Sequence, residues 1–458
     1  MKTITFNDAI IFGAALVCGG ILLFIWFIAG TTEWIILRKY FFASGCSFLF
    51  FIGSLFLPRQ GKSYVVIITL SLGAGLYIAE SFLSFTLVDR KSPLEKAVRA
   101  AGQSFDYRTT LQVITDMRKE TDQQVLPYIS PKQLFKEKGL RVDGETIYPL
   151  GFVPESRLVY CNEDGQYPVY EVDKFGYNNP PNQFDMSNTD AVIVGDSFAF
   201  ASCVNTGEGP AGVMRRAGYS VYNLGMPGAG PILQLAAIIE FAVSLKPRYV
   251  FWFYYEGNDL RDLAIEKELP VLSRYLEKDF SQQLVERQSA FVLAHAAYAR
   301  DYLAKAIRDD HKKVARNKPI MKFLKLNEIR KIANLDRNRT KQPFPDSLIN
   351  KLKYVLATAQ EKVSQWNGEL VFVYLPEWSR FGSEHHEPTL QARPRVLEAI
   401  RSLSIPVIDF DQAISPHDDW RSFFAYGLPN HYNPGGYGVL AQNLVGFIEN
   451  RNSATKPK

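Results

Sequence analysis

Histidine is scarce in this chain, with six among 458 residues. The one adjacent pair, His385-His386, lacks the spacing with which a helix presents two ligands, so neither a metal centre nor a cofactor is expected. Cysteine is rarer still. Of four, Cys18 and Cys46 lie inside apolar runs, where a small buried residue is the ordinary reading, and only Cys161 and Cys203 fall in the polar part. Internal repeats are absent, and the short polar tail from Asn450 to Lys458 is the one biased tract, so nothing points to a solenoid or a long disordered arm. Nucleic-acid recognition motifs are also missing. The net charge of +5 is therefore no argument for a DNA or RNA partner.

Long hydrophobic runs, by contrast, fill the first ninety residues. Ala9 to Gly30, Tyr40 to Leu57 and Tyr64 to Leu83 each approach the ~20 residues that cross a bilayer core, and three transmembrane helices are expected over 1–88. The alternative for the first run is a cleaved signal peptide, since Lys2 precedes it and Ala29-Gly30-Thr31 is small enough for cleavage. Three spans put the N-terminus and the large C-terminal part on opposite sides. Lys2, Arg59 and Lys62 then face one side and Arg38, Lys39, Arg90 and Lys91 the other, which slightly opposes export of the C-terminal part. Long domains, however, translocate with little regard to charge. Glu80, about sixteen residues into the third run, is an intramembrane carboxylate by default and by position an interfacial one.

Cys161 and Cys203 form an even pair, which fits an oxidising compartment; the alternative is two unrelated thiols. A bridge would fasten the polar stretch 89–187, a linker or accessory region, to a point six residues past Ser197. The expected location is the cytoplasmic (inner) membrane, multi-pass, with the C-terminal domain on the periplasmic side.

Basic residues cluster between Lys305 and Lys341, where thirteen Lys and Arg face four acids. Ile320, Phe323, Leu324, Ile329 and Ile332 recur there at roughly helical spacing, with Lys322, Lys325, Arg330 and Lys331 between them. Such a segment suits anionic lipid headgroups or an acidic polymer; the plainer reading is a solvated helix packed on its own domain.

The most informative junction is Gly195-Asp196-Ser197, directly after the apolar run Ala191 to Val194. A serine just past a buried strand, at the start of a helix, has an open hydroxyl and a free backbone N–H able to hold an oxyanion. The tripeptide alone is weak, because most copies are ordinary turns. Its companions carry the argument. Ser220 to Leu224 runs into Gly225-Met226-Pro227-Gly228, Tyr249 to Tyr255 into Glu256-Gly257-Asn258-Asp259, and His431-Tyr432-Asn433-Pro434-Gly435-Gly436 lies near the C-terminus. Together with Leu370 to Tyr374 and Pro406 to Phe410 these runs make five strands alternating with helical patterns, which argues for a parallel α/β sheet with its site at the strands' C-terminal ends. Leu260 to Glu361 is a helical insertion between the third and fourth strands.

This ordered set of blocks resembles the SGNH hydrolase superfamily, also called GDSL-type esterases, over about residues 188 to 450. The resemblance implies a flavodoxin-like five-stranded fold, Ser197 as nucleophile, the Ser197 and Gly228 N–H groups and the Asn258 amide as oxyanion donors, and His431 as base. Asp196 and Asp259 are read as supports that fix loops through nearby backbone N–H groups. Asp173 to Asn179 is similar to a stretch that precedes the domain in envelope-associated members, with Asn178 where that pattern has Arg; a plain turn is the alternative. One departure is plain. Members usually carry Asp three residues before the histidine, and here that position is Leu428. Three alternatives stand: a backbone carbonyl orients the imidazole, an acid such as Asp418 or Asp419 reaches it, or the domain binds without catalysing.

The expected function is a membrane-anchored serine esterase that removes acyl groups from an envelope glycan or lipid. An O-acyltransferase using the same acyl-serine, and a non-catalytic glycan-binding or scaffold subunit, are the competing readings. Expected partners are the acylated substrate and membrane lipids.

Overall fold

The structure, a computed structural model, describes residues 5–28, 31–87, 93–121, 124–185, 188–315, 323–333, 343–381 and 388–454. Ile320, Lys322, His385 and His386 lie outside the described residues. Two compact units divide the chain: residues 1–90 with 312–340, and residues 91–311 with 341–458. These boundaries differ from a division into anchor, linker and catalytic domain. Part of the insertion falls in the unit of the N-terminal helices, and the polar stretch falls in the same unit as 188–311.

The first unit holds α1 (Phe6–Ile28), α2 (Thr31–Ser54) and α3 (Arg59–Leu87), with Pro58 ending the turn before α3. Their apolar side chains point outward, Phe27 at 92% exposure and Ile78 at 70%, as expected of helices whose solvent is not water. Among the described residues, Phe6–Phe27 and Arg59–Ser84 are long and apolar enough to cross a membrane by length and composition. The helix over the middle run, α2, has 24 residues, and Tyr40–Ser54 is its apolar stretch among the described residues.

Glu80 is 1% exposed, and its carboxylate accepts hydrogen bonds from the backbone N–H groups of Glu328 and Ile329, both at 2.9 Å. It thus satisfies two otherwise orphaned donors in the first turn of the short helix Asn327–Ile332. Phe323 packs on Tyr77, ring centroids 5.3 Å apart, and the Tyr77 hydroxyl donates to the Leu324 carbonyl. Residues 323–333 of the basic stretch therefore belong with the N-terminal helices and not with the unit of the sheet. The middle of the basic stretch packs on α3.

In the second unit, β1 (Ala191–Val194), β2 (Val221–Asn223), β3 (Tyr249–Tyr255), β4 (Glu369–Leu375) and β5 (Val407–Asp409) form one parallel sheet in the order 2-1-3-4-5. This is the expected flavodoxin-like order. Alternate residues enter opposite cores, as the pleat demands. Val192, Val194, Trp252 and Phe372 pack with α6 (Pro231–Ala237), α8 (Asp346–Ser364) and α9 (Pro388–Arg401). Ile193, Phe251, Phe253 and Val373 pack with Met214 of α5 (Pro210–Arg216) and Leu440 and Leu444 of α10 (Pro434–Ala454). Both faces being dry explains why the strands read as unbroken apolar runs. Truncating a core leucine such as Leu352 to Ala should cost ~2–5 kcal/mol.

The stretch before β1 is no linker. Its strands Val125–Pro127, Arg157–Val159 and Val169–Glu171 form a three-stranded sheet, and Phe152, Leu158, Tyr170 and Tyr177 are buried in the same core as β1 and β3. Asp173 to Asn179 does more than turn the chain. Asp173 accepts from Phe175 N, Tyr177 N, the Tyr222 hydroxyl and the Asn179 amide, while Asn178 donates to the Phe200 carbonyl at 2.9 Å. The region is thereby fastened to β2 and to the turn that carries Ser197.

Candidate active site

Ser197 opens the single helical turn α4 (Ser197–Phe200), immediately beyond the C-terminal end of β1. Only glycine fits at 195, because a Cβ there would lie 2.7 Å from the Ala199 Cβ and 2.8 Å from the Phe253 Cβ. Asp196 caps the turn by accepting the Phe198 N–H at 2.9 Å. Ser197 Oγ stands 2.7 Å from Nε2 of His431, which lies in the loop just before α10. Phe198 stacks on Tyr255 at 4.0 Å between centroids and sits 4.8 Å from the imidazole, so the histidine has an aromatic wall at its side.

The group that orients His431 is Glu163. Its two carboxylate oxygens each lie 3.0 Å from Nδ1, and Oε2 also accepts the His431 backbone N–H at 2.8 Å. A carboxylate accepts, so Nδ1 carries the proton, and Nε2 is left as the acceptor facing the serine hydroxyl. Of the alternatives open at Leu428, an acid from elsewhere in the chain reaches the ring, and it is Glu163 and not Asp418 or Asp419, both of which are exposed. The acid comes from the region before β1, 268 positions earlier in the chain. One signal pointed to it, since Glu163 lies two residues after Cys161, and a Cys161–Cys203 bridge brings that segment to the nucleophile's turn.

That bridge forms, with the two Cα atoms 5.5 Å apart. Glu163, Cys203 and His431 place donor atoms within 4.8 Å of one another, an arrangement that on distance alone would suit a cation. The chemistry of the donors does not, because the Cys203 sulfur is bonded to Cys161 and the carboxylate is committed to the imidazole.

The residues expected to hold an oxyanion sit on neighbouring strand ends. Gly228, in the loop after β2, has φ +73°, and a Cβ there would lie 2.9 Å from the Tyr128 hydroxyl. Tyr128 in turn donates to the Pro227 carbonyl at 2.5 Å, so the accessory region also steadies this loop. Met226 N–H bonds the Gly195 carbonyl at 3.0 Å, holding the loop against the nucleophile's turn. Neither the Ser197 nor the Gly228 N–H meets an acceptor among the described residues. Asn258, N-cap of α7 (Asp259–Glu266), donates one amide hydrogen to Asp196 at 3.0 Å. Its second N–H is left for a ligand.

Asp196 and Asp259 play the supporting roles expected, with one addition. Asp259 accepts from Tyr255 N–H at 3.2 Å, and Asp196 holds the Asn258 side chain as well as its own turn. Burial pushes Asp196 up to about 6 against the pull of Phe198 N–H and the Asn258 amide, and burial likewise raises Asp259. The Asp196 carboxyl oxygen that faces Asn258 accepts its amide hydrogen.

Glu266 closes this side of the site. It accepts the Gly230 and Ile232 N–H groups at 2.7 and 2.9 Å, capping α6 just past the Gly228 loop, and burial pushes it up to about 8. A carboxyl raised in the fold binds its proton more tightly there than in the unfolded chain. Its contribution to stability is complete below the unfolded value near 4.5 and is lost as pH rises through about 8, a change on the order of a few kcal/mol. Urea midpoints of the wild type should therefore fall between pH 5 and 9 more steeply than those of Glu266→Gln; parallel curves would count against this role.

No protein-family model and no curated protein matches the chain by sequence. Among solved structures, a lipase/acylhydrolase from Enterococcus faecalis is similar at 13% identity and TM-score 0.33, over 59% of this chain and 99% of that one. A member of the lipolytic protein G-D-S-L family from Veillonella parvula DSM 2008 aligns at 12% identity and TM-score 0.30, over 56% and 96%. An acetyl xylan esterase aligns at 11% identity and TM-score 0.31, over 56% and 99%.

Proposed function

We infer that this chain is a member of the SGNH hydrolase superfamily and acts as a serine hydrolase on ester bonds. The observation that carries the reading is the unbroken line from Ser197 Oγ through the His431 ring to the Glu163 carboxylate. Nε2 takes the hydroxyl proton as Oγ attacks the ester carbonyl, and the imidazolium that forms is matched by the carboxylate at Nδ1. The tetrahedral oxyanion is held by the Ser197 and Gly228 N–H groups and the Asn258 amide. His431 then returns the proton to the leaving alkoxide. Water, deprotonated by the same nitrogen, releases the acid from Ser197.

The substrate class we propose is an acylated glycan or lipid of the cell envelope. Two apolar helices of membrane-crossing length support a membrane anchor in the cytoplasmic membrane, and the Cys161–Cys203 bridge supports placing the catalytic unit in an oxidising compartment outside it. Glu163 supplies the acid missing at Leu428, which weighs against the binding-only reading.

The test is labelling of the detergent-purified protein with a serine-directed fluorophosphonate. Wild type should label, and Ser197→Ala and His431→Ala should not. A folded wild type that takes no label would sink the hydrolase reading.

A further inference from the structure

We propose that the Cys161–Cys203 disulfide is a positioning element of the catalytic relay, acting through Glu163, so that full activity requires the oxidised bridge. The proposal rests on the serine-hydrolase reading of this site.

One end of the bridge is built on the nucleophile's turn. Cys203 follows α4 closely, the Ser202 N–H bonds the Ser197 carbonyl at 2.9 Å, and Ala201 and Cys203 both hold left-handed backbone, φ +63° and +68°. Cys203 N–H donates to the buried Tyr170 hydroxyl at 2.7 Å, which fixes that conformation from the side of the accessory sheet. Non-glycine residues adopt this backbone only where their surroundings hold them, so the sulfur is presented from a rigid support.

The other end carries the acid. Glu163 is two residues beyond Cys161, on a loop whose other ties include Asp106 N–H to the Gly165 carbonyl at 2.7 Å, the Asn162 amide to the Asp106 carbonyl at 3.1 Å, and the Tyr426 hydroxyl to the Asp164 carbonyl at 3.2 Å. Those bonds join the loop to residue 106 and to residue 426. The disulfide joins it covalently to the turn of Ser197. The bridge also lies against the imidazole edge that Glu163 holds, with Cys203 Sγ 3.7 Å from Nδ1 of His431. One covalent link therefore ties acid to nucleophile and packs against the base between them. Cys161 is half-buried, so a small reductant can reach the bridge.

The chemistry balances as thiol–disulfide exchange. In formation, the Cys161 and Cys203 thiols lose two protons and two electrons to an oxidant that is itself a disulfide, which leaves as two thiols. Dithiothreitol reverses this, closing to its cyclic disulfide as the two cysteines become thiols.

The experiment is a double-mutant cycle on the full-length protein, read by p-nitrophenyl acetate hydrolysis and by the rate of fluorophosphonate labelling. In the wild-type background Cys161→Ser should lower kcat by about 10-fold or more with KM changed less than about 2-fold, whereas in the Glu163→Gln background it should cost less than about 2-fold. A bridge that only stabilised the fold would cost the same in both backgrounds, and that result overturns the proposal. Dithiothreitol treatment of the folded wild type and of folded Glu163→Gln repeats the comparison should the serine variant fail to fold, with reoxidation restoring activity in the wild type. Unchanged kcat after loss of the bridge, in a wild type that hydrolyses the ester, overturns this inference alone. A wild type without hydrolysis or labelling removes the hydrolase reading and this inference with it.

Discussion

Glu163→Gln should lower kcat by about 10³- to 10⁴-fold, the scale seen when the orienting acid of a serine triad is neutralised. The carboxylate makes three contacts with His431, two to Nδ1 and one to the backbone N–H. A glutamine in its place offers one carbonyl oxygen and one amide. If the amide faces Nδ1, the proton moves to Nε2, where it can no longer accept from Ser197. Even with the oxygen facing Nδ1, the imidazolium formed during attack loses its matching charge. KM on a small ester should change little, because Glu163 touches the histidine and not the substrate. The fold should survive, since Glu163 is part-exposed, and an unchanged thermal midpoint checks this. The same assay on Asp418→Asn and Asp419→Asn should show wild-type rates. A Glu163→Gln enzyme within a few-fold of wild type would remove Glu163 from the mechanism and return the question to Leu428.

Asn258→Ala should lower kcat by about 10²- to 10³-fold, equivalent to ~3–4 kcal/mol of transition-state stabilisation. The amide is neutral, so it favours the charge developing on the carbonyl oxygen more than the ground-state ester. Its orientation is set from behind by Asp196, which accepts one amide hydrogen and leaves the other for the oxyanion. The substitution also strips a donor from a buried carboxylate, so a stability loss of ~1–3 kcal/mol is expected alongside the rate effect. The two effects separate by temperature. Rates measured well below the melting transition should still show the full loss. A variant whose kcat recovers on cooling would be a folding defect, with no oxyanion role for Asn258.

Much of the catalytic core was readable along the chain because its information is local. Strands buried on both faces read as apolar runs, and the active residues of an α/β sheet fall just past those runs, so Ser197, Gly228 and Asn258 could be placed one strand at a time. His431 follows no strand end, and only the resemblance of the block His431 to Gly436 to the superfamily's pattern pointed to it. Their convergence followed from the sheet order once the strands were counted.

What the sequence by itself determined was therefore the sheet and the places of Ser197, Gly228 and Asn258 at its strand ends, each fixed by its immediate neighbours. Only the tertiary structure decided where the third member of the relay comes from, what Glu80 does, and that the stretch before β1 is part of the catalytic unit. These depend on residues far apart in the chain meeting through packing and a disulfide: Glu163 reaches His431, and Glu80 caps a helix beginning at Asn327. A carboxylate's partner is chosen by distance in space, and no local pattern around Glu163 or Glu80 records that choice.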